Sequence, residues 1–121
     1  MAGQIVRVWK GYGTQAGVDR YCDEHFPNSV LPHLRAMDGF VDAMVLTRAE
    51  RREHEVVVAT TWESIDAVKA FAGEDYEHAV VEPVVRDLLS RFDDRVTHFT
   101  LRAQPLGPER ETPSASGSGW L

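Results

Sequence analysis

Apolar and polar positions alternate along four stretches of the chain, and this alternation predicts four β-strands. The stretches are residues 4–10, 40–48, 56–62 and 95–102. The third is almost continuous in β-branched and aromatic residues, which is typical of a strand buried on both faces. A charged loop, residues 49–54, separates the second strand from the third, so we expect these two to form a hairpin.

Two helical regions fill the intervals between the strands. In the first, Pro27 interrupts an amphipathic pattern that resumes at Asn28 or Ser29. The second has Ser64 as a predicted N-cap and Gly73 as a predicted C-terminal residue. We expect a further helical piece from Asp75 onward, with a kink or a new first turn at residue 83. Four apolar positions continue the stripe of that piece: Val81, Val84 or Val85, Leu88 and Phe92.

The element order β-α-β-β-α-β predicts an α+β protein with a ferredoxin-like, four-stranded antiparallel sheet and both helical regions on one face. On the second strand, Phe40, Met44 and Leu46 are predicted to share one face. Val41, Ala43 and Val45 share the other. Both faces are therefore apolar, and a monomer would leave one of them open to water. We predict a homodimer in which two sheets pack face to face about a two-fold axis.

Composition narrows the class of protein. The 121 residues suit one domain, and 43% hydrophobic with 26% charged residues is ordinary for a globular protein. A net charge of −6 without basic runs disfavours binding to nucleic acid or to an anionic membrane. The single cysteine excludes an internal disulfide, and there is no membrane-spanning apolar run, so a cytoplasmic location is expected. Residues 1–102 form the predicted domain, and 103–121 a disordered or loosely docked tail.

The sequence also resembles a known family. The resemblance rests on residues 5–11, the turn at 62–64, the turn at 37–40, and the stretches 71–77 and 88–93. In these segments the chain is similar to the antibiotic biosynthesis monooxygenase domain family, over about residues 4–102. The resemblance implies a dimeric α+β barrel. It also implies a range of activities: oxygenation of aromatic polyketides or quinols without a cofactor, haem degradation, or no known reaction.

A cofactor-free oxygenase needs an apolar cavity, a group that takes a proton and a donor that stabilises an oxyanion. Arg7, His25 and His78 are the candidate catalytic residues, because each is a polar group predicted near such a cavity. The candidate substrate-binding residues are aromatic: Trp9, Tyr21, Trp62, Phe71 and Tyr76. Each has an ordinary alternative. Arg7 would then pair within the protein, for example with Asp42, and the tryptophans would be core residues.

Three functions remain open. The first is a monooxygenase of a small aromatic, polyketide- or quinol-type molecule, with no cofactor and no metal. The second is a non-oxidative cyclase, isomerase or binding protein that uses the same cavity. The third is a haem-binding or haem-degrading protein. The haem-degrading branch of the family aligns its iron-ligating histidine with Val81, which cannot bind iron, so the third function is disfavoured.

Overall fold

The structure is a computed structural model that describes residues 3–104. Within this range, the strands are β1 (Ile5–Gly13), β2 (Phe40–Ala49), β3 (His54–Trp62), β4 (Arg91–Phe92) and β5 (Thr97–Thr100). The α-helices are α1 (Gln15–Arg20), α2 (Leu31–Arg35), α3 (Ile65–Ala72) and α4 (Val85–Leu88). A π-helical segment (Tyr21–Val30) joins α1 to α2. Across these residues, every helix is too short or too polar to reach from one side of a membrane to the other.

The strands form one antiparallel sheet in the order β2-β3-β1, and the outer edge of β1 is shared by β4 and β5. Ile5 lies opposite Trp62 on β3, and Arg7 lies opposite His98 on β5. This order is the one expected for a ferredoxin-like split βαβ unit. The predicted fold class, α+β with an antiparallel sheet and helices on one face, is confirmed.

Helices cover one face of the sheet, and the hydrophobic core lies between them. The most deeply buried side chains of this layer come from β3, α1, α2 and α3: Val56, Trp62, Val18, Leu34 and Val68. Alternation along β3 explains the contribution of that strand, because every second residue points to the same face. The core therefore sits directly against the central strands.

The first strand is longer than predicted. The predicted strand ended at residue 10, but Gly11 pairs with Val56 on one side and with Phe92 on the other. A Cβ at this position would lie 2.6 Å from the side chain of Leu89. The glycine therefore admits close packing of Leu89 on a continuing strand and does not terminate it.

Residues 74–84 differ most from the prediction, because they form no helix. Their main-chain groups form hydrogen bonds with residues 94–96 instead. The Ala79 N–H donates to the Asp94 carbonyl and the Val96 N–H to the Glu77 carbonyl, each at 2.8 Å. The guanidinium of Arg7 donates to two further carbonyls of this stretch. A carbonyl that accepts a hydrogen bond from another segment does not accept the hydrogen bond that an α-helix requires. Only α4, four residues long, remains of the predicted helix.

A β-bulge changes one predicted face of β2. The register shifts between Phe40 and Asp42, which leaves Val41 exposed and turns Phe40 toward the core. The Phe40 ring then packs edge-on against Trp62, with 5.5 Å between ring centroids. The prediction that Phe40 shares a face with Met44 and Leu46 was therefore wrong, because a one-residue insertion inverts the alternation before it.

The two predicted signals at the ends of α3 are confirmed. The Ser64 hydroxyl accepts a hydrogen bond from the Ala67 N–H at 3.2 Å, and Gly73 follows the helix with a φ of +93°. The predicted tail, residues 103–121, lies almost entirely outside the described residues.

Candidate functional site

A cavity lies between the helical layer and the residues that follow α3. Its large chamber has a volume of about 340 Å³, which is within the usual range for small-molecule sites. Twelve residues from the strand, the helices and the irregular segment line it: Trp9, Tyr21, His25, Ser29, Val30, His33, Leu34, Phe71, Val80, Val81, Glu82 and Val85. Most of these side chains are apolar, so the chamber suits an apolar guest with few polar groups.

A small chamber of about 70 Å³ adjoins the large one on the side of the sheet. The two chambers share six wall residues: Trp9, Tyr21, Val30, Leu34, Phe71 and Val80. The small chamber adds Arg7 and Thr60 as its polar residues, together with Val58 and Val96. The polar end of the cavity is therefore the part that touches the central strands β1 and β3.

Two buried nitrogen atoms in the wall of the large chamber have no hydrogen-bond partner among the described residues. They are Nε1 of Trp9 and Nε2 of His25. Most buried polar atoms in native proteins are paired, because an unmade hydrogen bond costs about 1–3 kcal/mol. Two such atoms in one cavity wall mark a place where water or a ligand can supply hydrogen-bond partners.

Tyr21 stands between these two side chains. Its ring centroid is 5.7 Å from that of Trp9 and 5.4 Å from that of His25. Burial is the main cause that raises the pKa of the Tyr21 phenol, and the neighbouring Cys22 and Glu82 raise it further. Tyr21 therefore keeps its proton at neutral pH and presents a neutral aromatic surface to the cavity.

His25 is placed by the π-helical segment, which carries Tyr21, His25 and Ser29 along the chamber wall. The side chain of His25 is 8% exposed, and its Nε2 lies 3.3 Å from Oε1 of Glu82 without making a hydrogen bond to it. The same Glu82 oxygen accepts a hydrogen bond from the Ser29 hydroxyl at 2.9 Å. Glu82 is half-exposed, so it connects the buried imidazole to solvent.

Arg7 is 5% exposed, and the hydrogen-bond partners of its guanidinium among the described residues are neutral groups. It donates to the main-chain carbonyls of Tyr76 and His78, the second at 2.8 Å, and lies 3.0 Å from Nε2 of His98. Burial lowers the pKa of Arg7 to about 10, so the group is charged at neutral pH. The alternative pairing with Asp42 is not found, because Asp42 lies on the exposed side of β2.

The remaining predicted site residues divide into two groups. Phe71 lines both chambers, whereas Trp62 is fully buried behind it, with 5.0 Å between their ring centroids. The Tyr76 ring packs against His98, and the His78 imidazole is 57% exposed beside Asp75. Tyr76 and His78 thus contribute carbonyl groups to Arg7, while their side chains lie outside the cavity wall.

Several wall residues were not singled out as site residues from the sequence, above all Ser29 and Glu82. Ser29 was interpreted as a possible start of a helix, and Glu82 fell within a predicted helical piece, so neither was considered as a wall residue. His33 is exposed at the rim of the large chamber, and its ring centroid lies 6.0 Å from that of Phe71. Within residues 3–104, no three His, Cys, Asp or Glu side chains converge in a way that would hold a metal ion.

Comparison with known proteins identifies the fold. No protein-family model matches the sequence, and no curated protein matches it. Solved structures do match. A putative antibiotic biosynthesis monooxygenase from Bacillus cereus is 17% identical, with a TM-score of 0.60 over 88% of this chain and 100% of the other.

Two further structures represent the branches considered from the sequence. A haem-degrading protein from Mycobacterium tuberculosis, solved free of haem, is 19% identical, with a TM-score of 0.58 over 88% of this chain and 100% of the other. SnoaB, a cofactor-independent oxygenase from Streptomyces nogalater, is 17% identical, with a TM-score of 0.54 over 85% of this chain and 97% of the other. The chain thus has the fold of antibiotic biosynthesis monooxygenase-type proteins, which confirms the resemblance at the level of the fold.

Proposed function

We propose that this protein is a cofactor-independent monooxygenase of a small aromatic molecule of the polyketide or quinol type. The observation that carries the proposal is the cavity: an apolar chamber of about 340 Å³ with two unpartnered buried nitrogen atoms in its wall. The fold that the chain shares with a cofactor-independent oxygenase supports the same hypothesis. Two aromatic side chains of the wall, Phe71 and Tyr21, suit a flat guest.

The chemistry proposed is oxidation of an activated ring methylene by O₂. Loss of a proton from the substrate gives a carbanion whose charge is delocalised onto a ring oxygen. The carbanion gives electrons to O₂, a carbon–oxygen bond forms, and the resulting hydroperoxide loses water. The methylene and one O₂ become a carbonyl and one H₂O, so that the substrate supplies all the electrons.

The wall residues fit the roles that this reaction requires. The unpartnered nitrogen of His25 is the proposed base, and the half-exposed carboxylate of Glu82 beside it provides a route for the proton to solvent. The indole N–H of Trp9 is the proposed donor to the oxygen on which negative charge develops. Phe71 and Tyr21 hold the ring between these two groups.

The test is O₂ uptake by the purified protein with a panel of anthrone-type and quinol substrates. His25→Gln keeps a polar side chain of similar size but lacks the base, and we expect it to reduce turnover by about 10²–10⁴-fold. His54→Gln, in the hairpin at the far end of β3, is the matched control and should leave turnover unchanged. An absence of uptake with every substrate, or full activity of His25→Gln, would refute the proposal.

Two other functions remain possible, and a simple measurement distinguishes each of them from the proposed one. A non-oxidative cyclase, isomerase or binding protein would bind the same aromatic molecules without consuming O₂. A haem protein would show a Soret band on addition of haem. Val81, which aligns with the iron-ligating histidine of the haem-degrading branch, lies in the cavity wall and offers no ligand atom.

We also propose that the protein is a homodimer whose two sheets pack on each other. The face of the sheet opposite the helices carries exposed apolar side chains on its two outer strands, β2 and β5. Met44 and Leu46 of β2 are 56% and 48% exposed, and Phe99 of β5 is 54% exposed. Val8 and Val57 lie between them on the central strands. A second copy of the same face would remove this surface from water.

A further inference from the structure

The buried charge of Arg7 has no anionic partner in the described part of the chain. The two carbonyl oxygens and the imidazole nitrogen that it contacts are all neutral groups. Burial and the nearby Arg7 charge lower the pKa of His98, so this imidazole carries no charge at neutral pH. Burial is the one cause that shifts the pKa of Arg7, and no carboxylate raises it again.

An isolated buried charge is costly, and carbonyl groups do not neutralise it. The guanidinium carries five N–H groups in a planar fork. The two carbonyls and the imidazole nitrogen of His98 take three of them, which leaves two N–H groups without a partner among the described residues. A carboxylate is the group whose geometry matches the fork best. A carboxylate at this place would take the two remaining N–H groups and supply the negative charge that the neighbouring groups lack.

The small chamber has the right size and position for such an anion. Its volume of about 70 Å³ corresponds to roughly two water molecules at about 30 Å³ each, which accommodates a carboxylate but not a ring. Thr60, the other polar residue of this chamber, is also buried. The large chamber adjoins it across Phe71, and the ring centroid of Phe71 is 5.6 Å from the Arg7 guanidinium.

We propose that the small chamber is an anion subsite, and that the cavity takes an aromatic carboxylic acid whose carboxylate pairs with Arg7 while its ring occupies the large chamber. This inference rests on the proposed function, since it assigns a substrate class to the same cavity. Trp9 and His25 then act on the ring, and Arg7 fixes the position of the acid group.

The test compares a naphthalene carboxylic acid with its carboxamide, which has nearly the same shape but no charge. By titration calorimetry at neutral pH, we expect the unmodified protein to bind the acid at least about tenfold more tightly, because charge-assisted hydrogen bonds are stronger than neutral ones. Arg7→Gln should bind the two compounds equally. Arg35→Gln, which removes an exposed arginine of α2, is the control and should keep the preference.

Arg7 also holds residues 76–78 through its hydrogen bonds, so a second measurement uses the unmodified protein alone and does not depend on the folding of Arg7→Gln. An isotopically labelled carboxyl group is followed by NMR during a pH titration of the complex. Pairing with Arg7 predicts that the pKa of the bound acid falls below that of the free acid.

The outcomes separate the two proposals. Equal binding of acid and amide, or a bound acid whose pKa does not fall, would overturn the anion subsite while leaving an aromatic cavity intact. A preference for the acid that survives in folded Arg7→Gln would assign the anion to another residue and also overturn it. Failure of both compounds to bind would count against the aromatic cavity itself, and so against both proposals.

Discussion

At the scale of single residues, the cavity wall contains polar atoms that the fold alone does not explain. Trp62 and Trp9 show the contrast. The Trp62 indole N–H donates to the Thr60 hydroxyl at 2.9 Å, as a buried indole should, whereas that of Trp9 has no partner among the described residues. A core residue gains nothing from a buried donor that stays unpaired. The difference supports the proposal that Trp9 contacts the ligand.

This contrast predicts opposite effects of the same substitution at two sites. Trp9→Phe removes an unpaired N–H, so it should leave the free energy of unfolding unchanged or raise it, while turnover falls by about 10²–10³-fold. Trp62→Phe breaks a buried hydrogen bond and should destabilise the fold by about 1–3 kcal/mol. Denaturant unfolding together with O₂ uptake measures both. A Trp9→Phe protein with full turnover would show that the indole N–H has no catalytic role.

His98 predicts how stability depends on pH. Its pKa in the folded protein lies below the ordinary value of 6.5, first because it is buried and second because Arg7 is near. The unfolded chain therefore takes up a proton at this residue as pH falls through about 6.5, while the folded chain resists it. The stability present above this pH should decrease on acidification.

Urea unfolding at pH 7.5 and at lower pH values tests this prediction. The free energy of unfolding should fall across the window that starts near 6.5, and His98→Gln should show a smaller decrease. An identical pH dependence in the two proteins would mean that His98 does not contribute to it.

At the scale of the elements, the sequence pattern predicted the strands and helix ends that depend on neighbouring residues. Alternation predicted the two strands of the hairpin, and capping chemistry predicted Ser64 and Gly73 at the two ends of α3. The structure has these features where they were predicted. The last strand is shorter than its alternating pattern. Its neighbours at residues 94–96 bond instead to the segment after α3.

The parts that were not predicted depend on contacts between distant residues. Residues 74–84 have a helical apolar spacing, but Arg7 and the residues at 94–96 take their main-chain groups. These hydrogen bonds join residues that are distant in the sequence, so the local sequence pattern does not predict them. The same cause explains the site: Glu82 reaches the cavity only because the segment is irregular, and Trp62 is hidden because Phe71 stacks over it.

Close contact between α1 and α4 gives a prediction at this scale. A Cβ on Gly17 would lie 2.0 Å from the carbonyl oxygen of Leu88, a main-chain atom that cannot swing away. Gly17→Ala should therefore lower the free energy of unfolding by about 1–3 kcal/mol, despite the better helix propensity of alanine. Asp19→Ala, exposed on the same helix, is the control. Equal stability of both variants by thermal unfolding would show that the two helices separate without cost.

At the scale of the whole molecule, the sheet has two apolar faces and one helical layer. The layer encloses the cavity, and the opposite face carries Met44, Leu46 and Phe99 in exposed positions. A polar cluster borders this face at the hairpin end, where Arg48 lies 2.7 Å from both Glu50 and Glu55. An apolar centre with a charged border is the usual composition of a protein interface.

The homodimer is tested by one charge placed on that apolar face. Leu46→Glu should shift the protein from dimer to monomer in sedimentation velocity at micromolar concentration, because the two-fold axis places the buried charge in both copies. Thr47→Glu is the control, since its neighbour position on β2 points to the other face. A monomeric unmodified protein would refute the interface, as would a Leu46→Glu dimer of unchanged affinity.

The most direct test of the central claim, that this cavity oxidises an aromatic substrate without a cofactor, uses isotopically heavy O₂. Chelator-treated protein free of flavin is supplied with an anthrone-type substrate, and the product is analysed by mass spectrometry. We predict a product in which the ring methylene has become a carbonyl that carries one heavy oxygen atom, formed by the unmodified protein and at a strongly reduced rate by His25→Gln. Recovery of unchanged substrate, or a rate that depends on added metal or flavin, would contradict the account.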